Sequence, residues 1–431
     1  MGVLRFRHMC WMSICLVGSH AHSEVLREDA PRLAQLNVRH HLIPGVKLNA
    51  KNETSTVSST AKSPAVPPPP PTQKRKDAVT WPSECSEPVK VSFYGDYWVS
   101  PKSPAAQLKG SLFDQLQPLL QWADFNVVNF EGALTREEKR AFEKFPFALK
   151  QAPDSLKWLG AAGIKYFTLA NNHAMDFGWK GAQDTMSAIQ AAGMKHAGLG
   201  ANLRAALQPM WLEKSGIRIA VISATTTFPA EAWAADRRPG VAFPRADAIR
   251  KAIAEARRDA DFVVVAFHWG EELKPTLRDH QPAQAKIALE AGADIIVGHH
   301  AHLAQVVDIE PENGLIVYGL GNFTFASLSR EAKFGLGAHF EFCKSAMPDA
   351  DGATHSYRMV LTPLQTFNRT TGYRTRAMSL SEFAPFAREY VKKGYFSSEL
   401  EFFIPGENQV RTISEWLQPS AQASKEGTAV R

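Results

Sequence analysis

The chain is poor in cysteine, with four among 431 residues, and no Cys-x-x-Cys pair occurs. That excludes a disulfide-dense scaffold and a thiolate zinc site. Long apolar runs are also missing: the N-terminal stretch "CWMSICLVG" is too short to span a bilayer. The net charge of +6 is not gathered into one basic block, and its densest run, "QKRKD" at 73–77, reads as solvated linker. No nucleic-acid partner is therefore expected. No internal repeat is evident. With 45% hydrophobic and 21% charged residues, the composition is that of an ordinary globular protein. The length suits one large α/β domain or two smaller ones.

The N-terminus carries more information. Arg5 and Arg7 precede the short apolar stretch, and Ser19 to Ala21 offer small residues at a cleavage position. This predicts a signal peptide over 1–21 and an exported protein, periplasmic or associated with the cell envelope. No lipobox-like small residue precedes Cys10 or Cys15. Residues 22–84 are polar and proline-rich and predict a linker; 419–431 predict a flexible tail, leaving 85–418 as the folded domain. Removal of the signal leaves Cys85 and Cys343, for which a bridge or two buried thiols both fit.

Within the domain the pattern alternates. "VKVSFYGD" is strand-like and closes on a charged turn, "SLFDQLQPLLQWA" has helical spacing, and "FNVVNFEG" is strand-like again. "APDSLKWLGAAG" and "KGAQDTMSAIQAAG" predict helices flanking a strand at "IKYFTLANN". "QAKIALEAG" predicts another between the apolar runs "ADFVVVAFHWG" and "ADIIVGHH". Strands alternating with helices indicate an α/β domain with substantial parallel sheet. After residue 303, "QVVDIEPENGLIVYGLGNFTF" reads as a hairpin, and "AHFEFCKS" and "YRMVLTPLQTF" as antiparallel strands. A mixed sheet, or two stacked sheets, is expected.

Ligands of open α/β folds bind beyond the carboxyl ends of strands, and the unusual polar residues fall there. The strand ends deliver Asp96; Asn129 and Glu131; Asn171, Asn172, His173 and Asp176; His268, Glu271 and Glu272; and His299, His300 and His302. Each group has an ordinary structural explanation. A Gly-Asp pair is commonly a turn, and a single strand histidine commonly bonds backbone. "HHAH" resists that account, because neighbouring imidazoles repel as cations and need partners when buried neutral. A metal supplies one by accepting their lone pairs. Imidazole, carboxylate and amide without thiolate suit Mn²⁺, Fe or Zn²⁺ rather than calcium. The donors suffice for two ions, with Glu131 or Asp96 able to bridge them. His173, beside Asn172, is placed to protonate a leaving group. Hydrolysis at phosphorus is expected, or less commonly at an amide carbonyl.

The motifs "YGD", "NFEG", "LANNHAMDFG", "AFHWGEE", "GADIIVGHHAH" and "VYGLGNFTF" occur in that order over residues 90–325. "AAGMKHAGLGANLRAA" (191–206) lies among them. The series resembles that of the CapA family, the bacterial capsule and poly-γ-glutamate synthesis proteins. That family is similar to calcineurin-like metallophosphoesterases. The resemblance implies a four-layer α/β/β/α metallophosphoesterase-like sandwich and a divalent, dinuclear metal centre. It implies a metal-dependent hydrolase of capsule or anionic-polymer metabolism, or a non-catalytic polymer-binding or assembly component on the same fold. The implied partners are an anionic polymer or phosphoester substrate and the capsule synthesis and export machinery.

Carried over residue by residue, Asp96 matches the first-strand metal aspartate and Glu131 the bridging carboxylate. Asn172 matches the amide ligand and His173 the general acid. His268 matches the lone-histidine ligand, and His300 with His302 the closing pair. Asp176 is expected to orient His173 or brace the turn. His299 is a spare imidazole able to serve in place of His300, and Asn322 is expected to shape the rim. Three positions depart from the pattern. Trp98 stands where related enzymes carry a first-strand histidine, which leaves one metal position a ligand short. Lys150 in "FPFALKQAP" stands in for an arginine that would read an anion. Ala301 replaces a proline without touching the ligands.

Overall fold

The computed structural model describes residues 85, 87–143, 145–310, 314–332, 334–345 and 354–418. The expected signal peptide (1–21), linker (22–84) and tail (419–431) lie outside the described residues. Everything described belongs to one unit, Pro68–Arg431. Among the described residues no helix is long and apolar enough to cross a membrane.

β1 (Val89–Trp98), β2 (Phe125–Phe130), β3 (Ile164–Thr168) and β4 (Lys195–Ala197) run parallel, with helices at Gln117–Trp122, Ser155–Ala161 and Gly178–Ala191. After the short β5 (Leu199–Gly200), a second sheet opens with the hairpin β6 (Met210–Lys214) and β7 (Ile217–Thr225). β8 (Gly240–Val241) turns back to pair with β5. β9 (Phe262–His268) and β10 (Ile295–His299) join β7 in parallel, with helices at Ala246–Arg257 and His280–Glu290. β11 (Val307–Glu310) and β12 (Gly314–Val317) complete that sheet. The chain then returns to the first sheet through β13 (Asn322–Phe325), β14 (Phe334–Lys344) and β15 (His355–Gln365). β16 (Arg376–Ala377), β17 (Glu401–Ile404) and β18 (Gln409–Thr412) finish its edge. Among the described residues these two sheets hold ten and six strands.

Strand parity explains the stacking. Alternate side chains of a strand face opposite sides, so each sheet carries two apolar faces. Val91, Phe93, Val127, Ile219, Val221, Val264, Ala266, Ile295 and Val297 are buried together between the sheets. Tyr94, Val128, Phe130 and Phe167 pack with the helices outside the first sheet. Ile222, Val263, Val265 and Ile296 pack with those outside the second. Burying such side chains contributes roughly 1.5–3 kcal/mol each relative to exposure. The resulting order, α/β/β/α, is the four-layer sandwich expected.

Two local expectations are corrected. "VKVSFYGD" does not end in a turn, because β1 continues through a bulge to Trp98. A Cβ on Gly95 would sit 1.8 Å from the Gly321 carbonyl oxygen, so only glycine admits β13 beside β1 there. The expected hairpin after residue 303 ends with β12; β13 crosses to the other sheet, where Asn322 lies in register with Asp96. Cys85 and Cys343 are bridged with their Cα atoms 6.0 Å apart, tying the approach to β1 onto β14.

Candidate metal centre

The same parity that builds the core aims the polar residues. His268 continues the inward face of Phe262, Val264 and Ala266; His299 continues that of Ile295 and Val297. Across the gap, Asn129 and Glu131 continue the inward face of Phe125 and Val127. Where the apolar positions stop, at the carboxyl ends of both sheets, these groups meet. Asp96 sits among them, fully buried.

Asp96 is held from several directions. Its Oδ1 accepts from Asn129 Nδ2 at 2.7 Å and lies 3.5 Å from His299 Nδ1. Its Oδ2 accepts from the His300 backbone N–H at 3.2 Å and lies 3.2 Å from His302 Nδ1. Burial alone would raise its pKa, but the neighbouring imidazoles of His299 and His302 hold it well below the ordinary value. His302 Nδ1 is also 2.9 Å from Asn322 Oδ1. The "HHAH" turn is strained, with φ of 89° at His300 and 57° at His302. Such left-handed, non-glycine conformations cost about 1–3 kcal/mol each and concentrate at functional sites.

Glu131 is the least satisfied member. Both of its carboxylate oxygens are buried without a hydrogen-bond partner. Oε1 lies 4.0 Å from His173 Nε2 and 4.0 Å from His268 Nε2. Burial, then the nearby Asp96 charge, push its pKa up to about 8. Burial disfavours charge on His302 too, yet Glu131 and Asp96 overcome it and raise that imidazole to about 10. Two carboxylates packed this way call for a positive charge. Atoms of Asp96, Glu131 and His302 that can bind metal all lie within 4.8 Å of one another. An unpartnered buried carboxylate beside imidazoles fits a divalent cation.

His268 and His300 have depressed pKa values because burial disfavours their charged forms, His300 falling to about 4. Their rings are 4.7 Å apart, and His300 Nδ1 has no hydrogen-bond partner. His268 Nε2 is 2.8 Å from Asn172 Oδ1. His173 Nδ1 lies 2.7 Å from Asp176 Oδ2, which also accepts from the Leu149 backbone N–H at 2.6 Å. Burial opposes a charge on His173, but the Asp176 bond raises its pKa. Asn171 ties the turn by donating to the Phe130 carbonyl at 3.0 Å and accepting from the His173 N–H at 3.1 Å.

Of the residues singled out from sequence, Glu271 pairs with Arg278, Glu272 lines a cavity with His302 and Asn322, and Lys150 is engaged elsewhere. Its ammonium lies over the Phe177 ring, 4.5 Å from the centroid, and bonds the Glu137 carbonyl. Trp98 donates its indole N–H to the Lys150 carbonyl at 3.1 Å and packs on Phe325. Asn129 is the residue whose role sequence reasoning left open. It bridges Asp96 and His268, whose Nδ1 is 3.2 Å from its Nδ2. Its inward parity was the available signal.

A family model described as "Bacterial capsule synthesis protein PGA_cap" matches residues 90–327, more than half of the chain. The chain belongs to this family. Every residue of the cluster falls within the PGA_cap match. "Capsule biosynthesis protein CapA" of Bacillus anthracis is 36% identical over 220 residues, 50% of this chain and 53% of its own length. "PGA biosynthesis protein CapA" of Bacillus subtilis is 31% identical over 242 residues, 55% of this chain and 63% of its own. The chain thus spans little more than half the length of these relatives. Among solved structures, a putative 5'-nucleotidase from Staphylococcus aureus matches with a TM-score of 0.40 and 15% identity, over 64% of this chain and 54% of that one. A calcineurin-like phosphoesterase, YfkN from Bacillus subtilis, matches at 0.39 and 12%, over 72% and 99%. Likenesses of that size carry no argument about activity.

Proposed function

We propose that this PGA_cap protein is a metal-dependent hydrolase acting in the synthesis or processing of a capsule polymer of the poly-γ-glutamate kind. The names of its relatives support the process. One observation carries the hydrolase: the carboxylate of Glu131, buried without a hydrogen-bond partner among imidazoles and beside Asp96. Asp96, Glu131, Asn172, His268, His300 and His302 would hold the cation, with His299 in reserve. When bound, such an ion supplies Lewis-acid charge to a substrate oxygen and acidifies water.

The chain's own groups do the rest. Asp176 fixes His173 through Nδ1, which leaves Nε2 facing Glu131 and able to carry a proton to a leaving group. Asn322, bonded to His302, shapes the rim. Lys150, held by Glu137 and Phe177, would have to swing free to meet substrate. We place the reaction outside the cytoplasm; the Cys85–Cys343 bridge supports an oxidising compartment.

A second reading keeps the metal but makes the protein a polymer-binding or assembly component. Trp98 favours it, because its indole offers no ligand and is committed to the Lys150 carbonyl. Metal analysis, followed by assays of phosphodiester, phosphomonoester and γ-glutamyl compounds with added Mn²⁺, separates the two. Wild-type protein is expected to hold a transition metal that Glu131→Ala and His302→Ala lose, and to cleave one class. A metal-loaded protein that cleaves none selects the second reading, and a metal-free wild type sinks both.

A further inference from the structure

Away from the carboxylates, Arg330, Gln365, Phe367, Arg369 and Phe386 line a groove of about 490 Å³. Cavities of roughly 300–1,000 Å³ are the size that small ligands or side groups occupy. All five lie beyond the PGA_cap match, which ends at residue 327, so membership of the family assigns the groove nothing. Both arginines are exposed, and neither guanidinium has a hydrogen-bonding or acidic partner among the described residues. Gln365 is buried; its Oε1 accepts from the Phe367 backbone N–H at 3.2 Å, which leaves Nε2 free to donate. The donors are thus two unpaired planar cations and an amide, and the remaining walls are aromatic.

The groove is coupled to the site by one stretch of chain. Asn322, at the head of β13, bonds His302. Past the end of that strand, Ser327 and Ser329 line a smaller cavity of about 130 Å³ that His302, Asn322 and one acid, Glu272, also line. The next residue, Arg330, belongs to the groove. Asn368 Nδ2 donates to the carbonyls of Phe325 and Ser327, each at 2.6 Å, so the turn bearing Arg369 is stapled to the same stretch. A chain bound at His302 therefore needs only to follow residues 325–330 to reach both guanidiniums.

We propose that this groove binds the pendant carboxylates of an extended acidic polymer whose reacting end lies at Glu131 and His173. The position of the reacting end rests on the hydrolase reading; binding in the groove does not. Guanidinium forks match carboxylates in bidentate geometry, while Phe367 and Phe386 suit the methylenes that separate carboxylates from a backbone. An oligophosphate would meet the same charge but has no apolar portion for the rings.

The test uses the full chain and a short synthetic γ-glutamate oligomer, with binding followed by calorimetry at low and moderate salt. Arg330→Gln with Arg369→Gln is expected to weaken binding by about tenfold for each guanidinium lost. Metal content and thermal midpoint should stay unchanged, because neither side chain has a partner to lose. Phe367→Ala is expected to weaken the glutamate oligomer while sparing a polyphosphate of equal charge. Unchanged oligomer affinity in the double variant overturns the proposal, and so does polyphosphate binding that equals or exceeds that of the oligomer. Loss of binding in the double variant, with no cleavage by wild type, leaves the groove standing and removes only the hydrolase.

Discussion

His268 Nε2 lies 2.8 Å from Asn172 Oδ1, joining the end of β9 in one sheet to the turn after β3 in the other. The imidazole is neutral, because burial holds its pKa well below the ordinary value. A neutral ring carrying its proton on Nε2 donates to Asn172 and accepts from Asn129 through Nδ1; to hold an ion through Nε2 the ring would give up that proton and its bond to Asn172.

Asn129 thus orients a candidate ligand on each sheet, Asp96 and His268. Asn129→Leu keeps the volume and removes both bonds. Metal affinity is expected to drop about 10–100-fold, the usual cost of losing a group that orients ligands. A competition titration with a chelator reads it, and wild-type affinity in the variant would mean that Asn129 only packs.

His173 carries the proposed proton. His173→Ala is expected to lower turnover about 10²–10⁴-fold, with a smaller loss for Asp176→Asn. Asp176 raises the His173 pKa, so the acid form persists above the ordinary histidine range. Turnover should therefore fall as pH rises through that raised value, and Asp176→Asn should move the falling limb to lower pH. The linked stability has the same sign: present below the unfolded pKa, lost as pH rises through the folded one. A limb that stays in place in Asp176→Asn contradicts the pairing.

Gly95 admits β13 beside β1. Gly95→Ala would place a methyl 1.8 Å from the Gly321 carbonyl oxygen, which is backbone and cannot swing aside. A destabilisation of about 3 kcal/mol or more is expected in urea unfolding, with loss of metal as Asp96 leaves its register with Asn322. A variant as stable as wild type would show that the bulge can open.

The Cys85–Cys343 bridge closes a loop with a sequence separation of 258. Constraining so long a loop in the unfolded chain is expected to contribute about 2–4 kcal/mol. The check is a thermal melt of Cys85→Ser against wild type with and without reductant. Reductant should lower the wild-type midpoint to that of the variant and leave the variant unmoved.

Much of the candidate site is legible in the sequence. Strand periodicity and the apolar-to-polar change at each strand end pointed to Asp96, Glu131, Asn172, His268 and the "HHAH" turn, because a buried strand tolerates such groups only where they find partners. The contact of Asp176 with His173 is the one its place in the turn suggests, and its Oδ2 also accepts from the Leu149 N–H. Asn129 was seen but not assigned, since its importance depends on two partners that lie on different strands. Lys150 looked available in sequence, yet its ammonium settles over the Phe177 ring and on the Glu137 carbonyl.

What the sequence determined by itself is local: which residues alternate, where each strand stops, and which polar groups stand at its end. Those follow from backbone geometry and the cost of burying polar atoms, and both act over a few residues. The tertiary structure decided which ends meet. Stacking brought Glu131 to His268, the crossing of β13 brought Asn322 to His302, and the staple at Asn368 brought Arg369 beside Arg330. No local preference encodes such pairings; they exist because two apolar sheet faces must cover each other, and the residues at their rims travel with them.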